Sequence, residues 1–180
     1  MKRVEERYHS HSVSTPLQLK ARLGVVSLAV LVVDQWTKHL AESALAGRPP
    51  RTVIPGFLDL VHVENTGVAF GLFAAGGSTL GVLVLTLLGM VALGLVLYYF
   101  LRTPDTNKGV LFSLALILGG AVGNLVDRIV SGSVTDFIDV YVGTHHWPTF
   151  NAADSAITIG IVLLTFDALF GRRPVQIVQP

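Results

Sequence analysis

The chain of 180 residues contains no cysteine, which excludes a disulfide, a thiolate nucleophile and a thiolate metal site. Charge is scarce as well: Asp, Glu, Lys and Arg make up 14% of the residues, against about 25% in an ordinary soluble domain. His145 and His146 are adjacent, His62 stands alone and no H-x-x-x-H occurs, so neither a zinc site nor any cofactor is expected. No A-x-A-like cleavage site precedes the first apolar run, and residues 1–22 read as a retained polar tail rather than a removed leader. The basic residues form no patch, and the net charge of +1 implies no nucleic-acid partner. Internal repeats and low-complexity segments are also missing.

What the chain has instead is apolar length. Hydrophobic residues make up 51% of it, gathered in runs at about Leu23–Leu40, Thr79–Leu101, from Gly109 to the polar Asn124, and Ala153–Phe170. Each is near the ~20 residues that cross a bilayer as a helix. The fold class expected is therefore a mainly α membrane protein with four transmembrane helices. Nine of the thirteen Lys and Arg residues lie in the N-terminal tail, between the second and third runs, or at the C-terminus. The positive-inside rule then puts both termini in the cytoplasm. The domain layout expected is a cytoplasmic tail over 1–22, a four-span body over 23–171 and a short cytoplasmic tail over 172–180. Two longer connections, about 42–77 and 130–152, face outward. Within the first, residues 51–72 alternate in polarity and carry a turn signal at Asn65-Thr66-Gly67, which predicts short antiparallel strands on the outer membrane surface.

Ionisable residues in or at the ends of spans are costly and mark function by default. Here they converge. Asp34 and Lys38 close the first run, Asn124, Asp127 and Arg128 close the third, and Asn151 and Asp154 open the fourth. All three sets fall at the outer end. Asn124, Asp127 and Arg128 share one helical face, and Asp34 with Lys38 at i, i+4 reads equally as a helix-end ion pair. Gly119 and Gly123 leave the third helix bare for close approach by another. Without cysteine or a metal cluster, the chemistry left is a carboxylate pair sharing one proton and activating water. Asp127, Asp136, Asp139 and Asp154 are all candidates, and spacing does not choose among them. Asp59, Asp105 and Asp139 otherwise read as solvated, Asp136 as part of an outer loop, and Asp167 as a partner for Arg172 or Arg173. A proton-coupled transporter or a non-enzymatic assembly factor would also carry polar residues in its spans. Transporter sites sit near the midplane on broken helices within repeats, unlike this one-ended set, and a scaffold does not need so many ionisable groups in one layer.

Five blocks in order, VVDQWTK (32–38), ENTGVAFG (64–71), GGAVGNLVDR (119–128), VTDFID (134–139) and FNAADS (150–155), resemble the lipoprotein signal peptidases (signal peptidase II), bacterial intramembrane aspartyl peptidases. The resemblance implies a catalytic dyad of Asp136 and Asp154, with Asn65, Gly67, Asn124, Arg128, Asn151, Asp34 and Lys38 lining or supporting the site. It implies a substrate prolipoprotein whose cysteine already carries diacylglycerol, cut just before that cysteine. It implies a monomer in the bacterial inner membrane, in contact with membrane lipid, whose outer strands form a surface cradle. Val68 stands where the family often has alanine, and the N-terminal tail lies outside the family pattern.

Overall fold

The computed structural model describes residues 16–67 and 79–171. The N-terminal tail to residue 15, the end of the expected β segment from Val68 to residue 72, the C-terminal tail and the partnership of Asp167 with Arg172 or Arg173 lie outside those residues. Four helices and four strands follow in the order α1 (Pro16–Leu45), β1 (Arg51–Ile54), β2 (Leu58–Asn65), α2 (Thr79–Arg102), α3 (Lys108–Val130), β3 (Val134–Val142), β4 (His145–His146) and α4 (Ala152–Phe170).

The helix α3 is the hub, packed against α1, α2, α4 and β3. Its glycines make this possible. A Cβ on Gly119 would sit 2.6 Å from Ser27 O in α1, one on Gly160 of α4 would sit 2.6 Å from Ile117, and one on Gly120 would meet Ala153 and Ile157 of α4. At Gly123 the collision would be with the buried Asp34 carboxylate. Leu111, Leu114, Ala115 and Leu118 of α3 form the main apolar cluster with Leu23 and Phe100. Among the described residues three helices, Leu80–Arg102, Lys108–Val130 and Ala152–Phe170, are long and apolar enough to cross a membrane. The expectation was four. The helix α1 is the longest, at 30 residues, but falls outside that set because Asp34, Gln35, Lys38 and His39 interrupt its apolar run. The helix α2 carries its apolar side chains outward: Leu80, Leu83, Leu88, Val91 and Leu95 are all more than half exposed, which suits hydrocarbon rather than water.

The strands form one sheet in the order β1-β2-β3-β4, with antiparallel neighbours. Gly56, at φ +77°, turns β1 into β2, a backbone conformation that favours glycine. Sequence periodicity accounted for β1 and β2 but missed β3. Its alternation is concealed because Val134, Asp136 and Phe137 are all buried, so the strand lacks a solvated face. Asp136 therefore belongs to a central strand and not to an outer loop. Between Leu60 and Val63, β2 holds one more residue than the facing stretch of β3, a bulge that re-aims the strand toward its end at Asn65. Successive side chains point to opposite faces, so Phe137 packs with Ala41 and Leu45 of α1 while Asp136 turns away from them. The segment before α4 is stitched to the same strand: Phe137 and Ile138 N–H donate to Phe150 O at 3.1 and 2.9 Å. This stitch sets Asn151 beside Asp136.

Of the aspartates expected to be solvated, Asp139 and Asp59 are hydrogen-bonded, while Asp105 has both oxygens buried and meets Lys20 only at ion-pair distance. Both Asp139 oxygens lie 3.0 Å from His146 Nδ1, Tyr141 donates to Asp59 at 3.4 Å, and Asp105 sits 3.8 Å from Lys20. Gly123→Ala should lower the thermal unfolding midpoint in detergent, at a cost of about 1–3 kcal/mol from overpacking. Gly94→Ala, with no atom within 4 Å of the added carbon, should leave the midpoint unchanged or raised. Equal midpoints for the two variants would contradict the close α1–α3 approach.

Candidate active site

Four buried or half-buried segments meet where α1, α3 and α4 reach the sheet. From α1 come Asp34, fully buried, and Lys38, 4% exposed. The Lys38 ammonium contacts Asp34 Oδ2 at 2.8 Å, Asp127 Oδ2 at 2.7 Å and Asn124 Oδ1 at 2.9 Å. Asp34 turns its other oxygen to the Ala153 N–H at 2.9 Å, in the first turn of α4. One ion pair thus holds three helices together. Removing one member of such a buried pair leaves an uncompensated charge, at a cost of about 3–5 kcal/mol.

From α4 comes a reciprocal cap. Asn151 is the N-cap residue, its Oδ1 accepting from Asp154 N at 2.9 Å while Asp154 Oδ2 accepts from Asn151 N at 3.3 Å. This capping box satisfies two orphan helix donors and leaves each side chain one free end. Those ends face the site. Asn151 Nδ2 reaches Asp136 Oδ1 at 2.7 Å and Asn124 Oδ1 at 3.1 Å. Asn124 Nδ2 donates to Asp154 Oδ1 at 2.7 Å. Asn65, at the end of β2, accepts from Gly67 N at 2.8 Å and donates to Asp136 Oδ2 at 2.9 Å. Gly67 has φ +86°, so the Asn65-Thr66-Gly67 turn aims the Asn65 amide and uses a glycine to do it. Asp136 and Asp154 are thereby linked through the two amides of Asn151 and Asn124.

The two carboxylates differ in surroundings. Asp136 is 1% exposed. Burial holds its carboxyl above the ordinary value of 3.8, the Asp154 charge pushes the same way, and the bonds from Asn65 and Asn151 with the Lys38 charge oppose it. Asp154 is only half-buried and lines a groove of about 450 Å³ with Trp147, Phe150, Ser155, Thr158 and Ile159.

Of the residues expected at the site, Asp34, Lys38, Asn65, Gly67, Asn124, Asp136, Asn151 and Asp154 join this one network. Arg128 stands at its edge, half-buried, donating to Asn124 O of its own helix at 3.1 Å and leaving its other N–H groups uncommitted to the dyad. Asp127 pairs with Lys38 rather than with Arg128. Gln35 escaped sequence reasoning: it donates to Asp127 Oδ1 at 2.8 Å and to Gly123 O at 3.3 Å. Its signal was an amide beside Asp34 inside an apolar run. Among the described residues no group of three or more His, Asp or Glu is placed to hold a metal ion.

Apolar helices around a buried carboxylate–amide network at one end define a membrane-embedded enzyme. The family described as Signal peptidase (SPase) II matches residues 26–170. Lipoprotein signal peptidase from Desulforapulum autotrophicum is 41% identical over 153 residues, 85% of this chain and 94% of that one. The corresponding Acinetobacter baumannii protein is 43% identical over 145 residues, 81% of each chain. A solved bacterial membrane enzyme, determined by the in meso method at 1.9 Å, superposes with a TM-score of 0.73 and 28% identity over 84% of this chain and 95% of that one. The chain belongs to the signal peptidase II family, peptidases that remove signal peptides from prolipoproteins.

The raised Asp136 carboxyl makes a stability prediction with a definite sign. Its protonated form favours the fold, so that contribution is complete below 3.8 and is lost as pH rises through the folded-state value. The unfolding midpoint of the wild type relative to Asp136→Asn should therefore fall as pH is raised from about 4 to about 8. A difference that is flat over this range would contradict the raised, buried carboxyl.

Proposed function

We propose that this member of the family cuts as an aspartyl endopeptidase, with Asp136 and Asp154 sharing one proton and an activated water as nucleophile. The observation that carries the reading is the amide bridge from Asp136 through Asn151 and Asn124 to Asp154, which links a buried carboxylate to a half-buried one that lines the groove. Asp136, buried and held above the ordinary carboxylate range, suits the protonated partner. Asp154, facing the groove at the positive end of α4, suits the base. In this scheme Asp154 takes a proton from water as the water oxygen attacks the scissile carbonyl, and Asp136 gives its proton to the carbonyl oxygen. The tetrahedral diol then collapses. Asp154 returns its proton to the leaving amine, the C–N bond breaks, and Asp136 recovers a proton from a diol hydroxyl.

The proposed substrate is a prolipoprotein whose cysteine carries diacylglycerol, cut just before that cysteine. Acyl chains in the bilayer would hold the scissile bond at the membrane boundary, where the polar ends of α1, α3 and α4 meet. Arg128, with N–H groups to spare beyond Asn124 O, is placed to meet substrate carbonyls. We also propose that α1 is the fourth span, its Asp34 and Lys38 admitted to the membrane because each is paired. Both termini would then be cytoplasmic and the site external, in the bacterial inner membrane. Trp36 and Trp147, 62% and 69% exposed, suit an interfacial belt at that outer level.

Asp136→Asn and Asp154→Asn should each lose essentially all cleavage of a lipidated precursor while still being recovered from membranes. Asn keeps the size but can neither accept a proton from water nor share one. Asp139→Asn should retain substantial activity, since its partner is His146. Near wild-type cleavage by either of the first two variants would refute the dyad. Cleavage should also survive chelators and should require the lipid on the substrate; equal rates on unlipidated precursor would contradict membrane placement of the peptide. Reporter fusions after Thr144 and after Asp105 should read external and internal respectively, and the reverse would invert the orientation.

A further inference from the structure

We infer that Lys38 is a positioning residue for the reaction: its ammonium fixes which end of the Asn124 amide faces Asp154, and through that amide orients the Asp154 carboxylate. The inference rests on the aspartyl reading above. An ammonium has three donors and no acceptor, and its contacts with Asp34 Oδ2, Asp127 Oδ2 and Asn124 Oδ1 account for all three. The amide placed against it must therefore present oxygen. Its NH₂ group is left on the other side, where it donates to Asp154 Oδ1 at 2.7 Å. Turning the amide over would set donor against donor at Lys38 and acceptor against acceptor at Asp154.

A second group also favours this orientation, since Asn151 Nδ2 lies 3.1 Å from the same oxygen. That nitrogen, however, is shared with Asp136 Oδ1 at 2.7 Å and Thr135 O at 3.3 Å. The charged donor at 2.9 Å makes the stronger hydrogen bond. Lys38 and Asn124 are 4% and 7% exposed, so water has little room to stand in for either. Neutralising Asp34 and Asp127 would explain a cation at this position. It would not explain why the third donor points along α3 to the amide that touches Asp154.

The rival account is that Lys38 only holds α1 to α3, and the test must separate the two. Lys38→Met combined with Asp34→Asn removes one charge of each sign and orphans no fully buried carboxylate, since Asp127 keeps its bonds from Gln35 and the Thr135 N–H. The double variant, purified intact and assayed on a lipidated precursor, should lose about ten- to a hundredfold in kcat, the worth of one hydrogen bond to a charged group. KM should stay within about twofold, because an interaction with the reacting carboxylate alone is removed. With Asn124→Ala added, the combined variant should then be no slower than Asn124→Ala alone, since Lys38 acts through that amide. Wild-type kcat in the double variant would overturn the inference, and so would losses that multiply when Asn124→Ala is added. If the double variant is not recovered from membranes, Asn124→Asp decides. It keeps an oxygen for Lys38 but turns a second oxygen on Asp154, and should show the same loss in kcat at unchanged KM; unaltered kcat would overturn the route. Asp154→Asn run in parallel separates the two readings. If Asp154→Asn is active the dyad itself is wrong, and if it is inactive while the Lys38 double variant cleaves normally, only this inference fails.

Discussion

Lys38 carries a full charge to a place where water barely reaches it, and much of the molecule is arranged to make that tolerable. A buried ion is stable only when it is paired and its remaining hydrogen-bonding capacity is met. The pairing here draws oxygens from α1 and α3, and Asp34 extends it to the first turn of α4. That demand explains the bare face of α3. Were Gly123 any larger, the Asp34 carboxylate would have no place to lie. The glycines of α3 are thus more than a packing surface for hydrocarbon; they allow a charged layer to exist between helices that otherwise present apolar side chains.

The sheet meets this layer from above, and its irregularities matter more than its regular pairing. The bulge in β2 and the turn at Gly67 together aim Asn65 at Asp136, while the backbone stitch from Phe150 to β3 sets Asn151 on the other side of the same carboxylate. A side chain with two amide donors and a buried position experiences opposing influences. Burial raises the carboxyl, the two amides and Lys38 lower it, and burial dominates. Asp154 avoids that depth because it is the third residue of a helix whose start opens onto the groove. Two identical side chains acquire different character from their places in a strand and at a helix start, which is the difference that acid–base work by a carboxylate pair uses.

The helices were legible in the sequence because a membrane span is a compositional signal. The same signal under-reads α1, where Asp34 and Lys38 break the apolar run for reasons that lie in α3 and α4. Strands β1 and β2 fall in the segment marked by alternation and β-branched residues, but the turn that joins them is at Gly56, and the Asn65-Thr66-Gly67 turn ends β2 instead. Strand β3 was not legible, because Val134, Asp136 and Phe137 are all buried and period-two alternation vanishes when both faces are covered. The convergence of Asp34, Lys38, Asn124, Asn151 and Asp154 at one end could be read from helical spacing. The proposed choice of Asp136 over Asp127 or Asp139 could not. It depends on the pairing of β2 with β3 and on which oxygens Lys38 already occupies, and it came from the family resemblance. Gln35 was passed over because an amide in an apolar run carries no charge to draw attention to it.

Asp136 and Asp154 are proposed to act as one unit holding one proton, and a double-mutant cycle on residual cleavage tests that most directly. Residual single-turnover rates on a lipidated precursor would be compared for Asp136→Asn, Asp154→Asn and the variant carrying both. Groups that act as a unit are non-additive, so the combined variant should be little slower than the slower single variant. If the two losses multiplied instead, each carboxylate would be contributing separately, and the shared-proton dyad bridged by Asn151 and Asn124 would be the wrong description of this site.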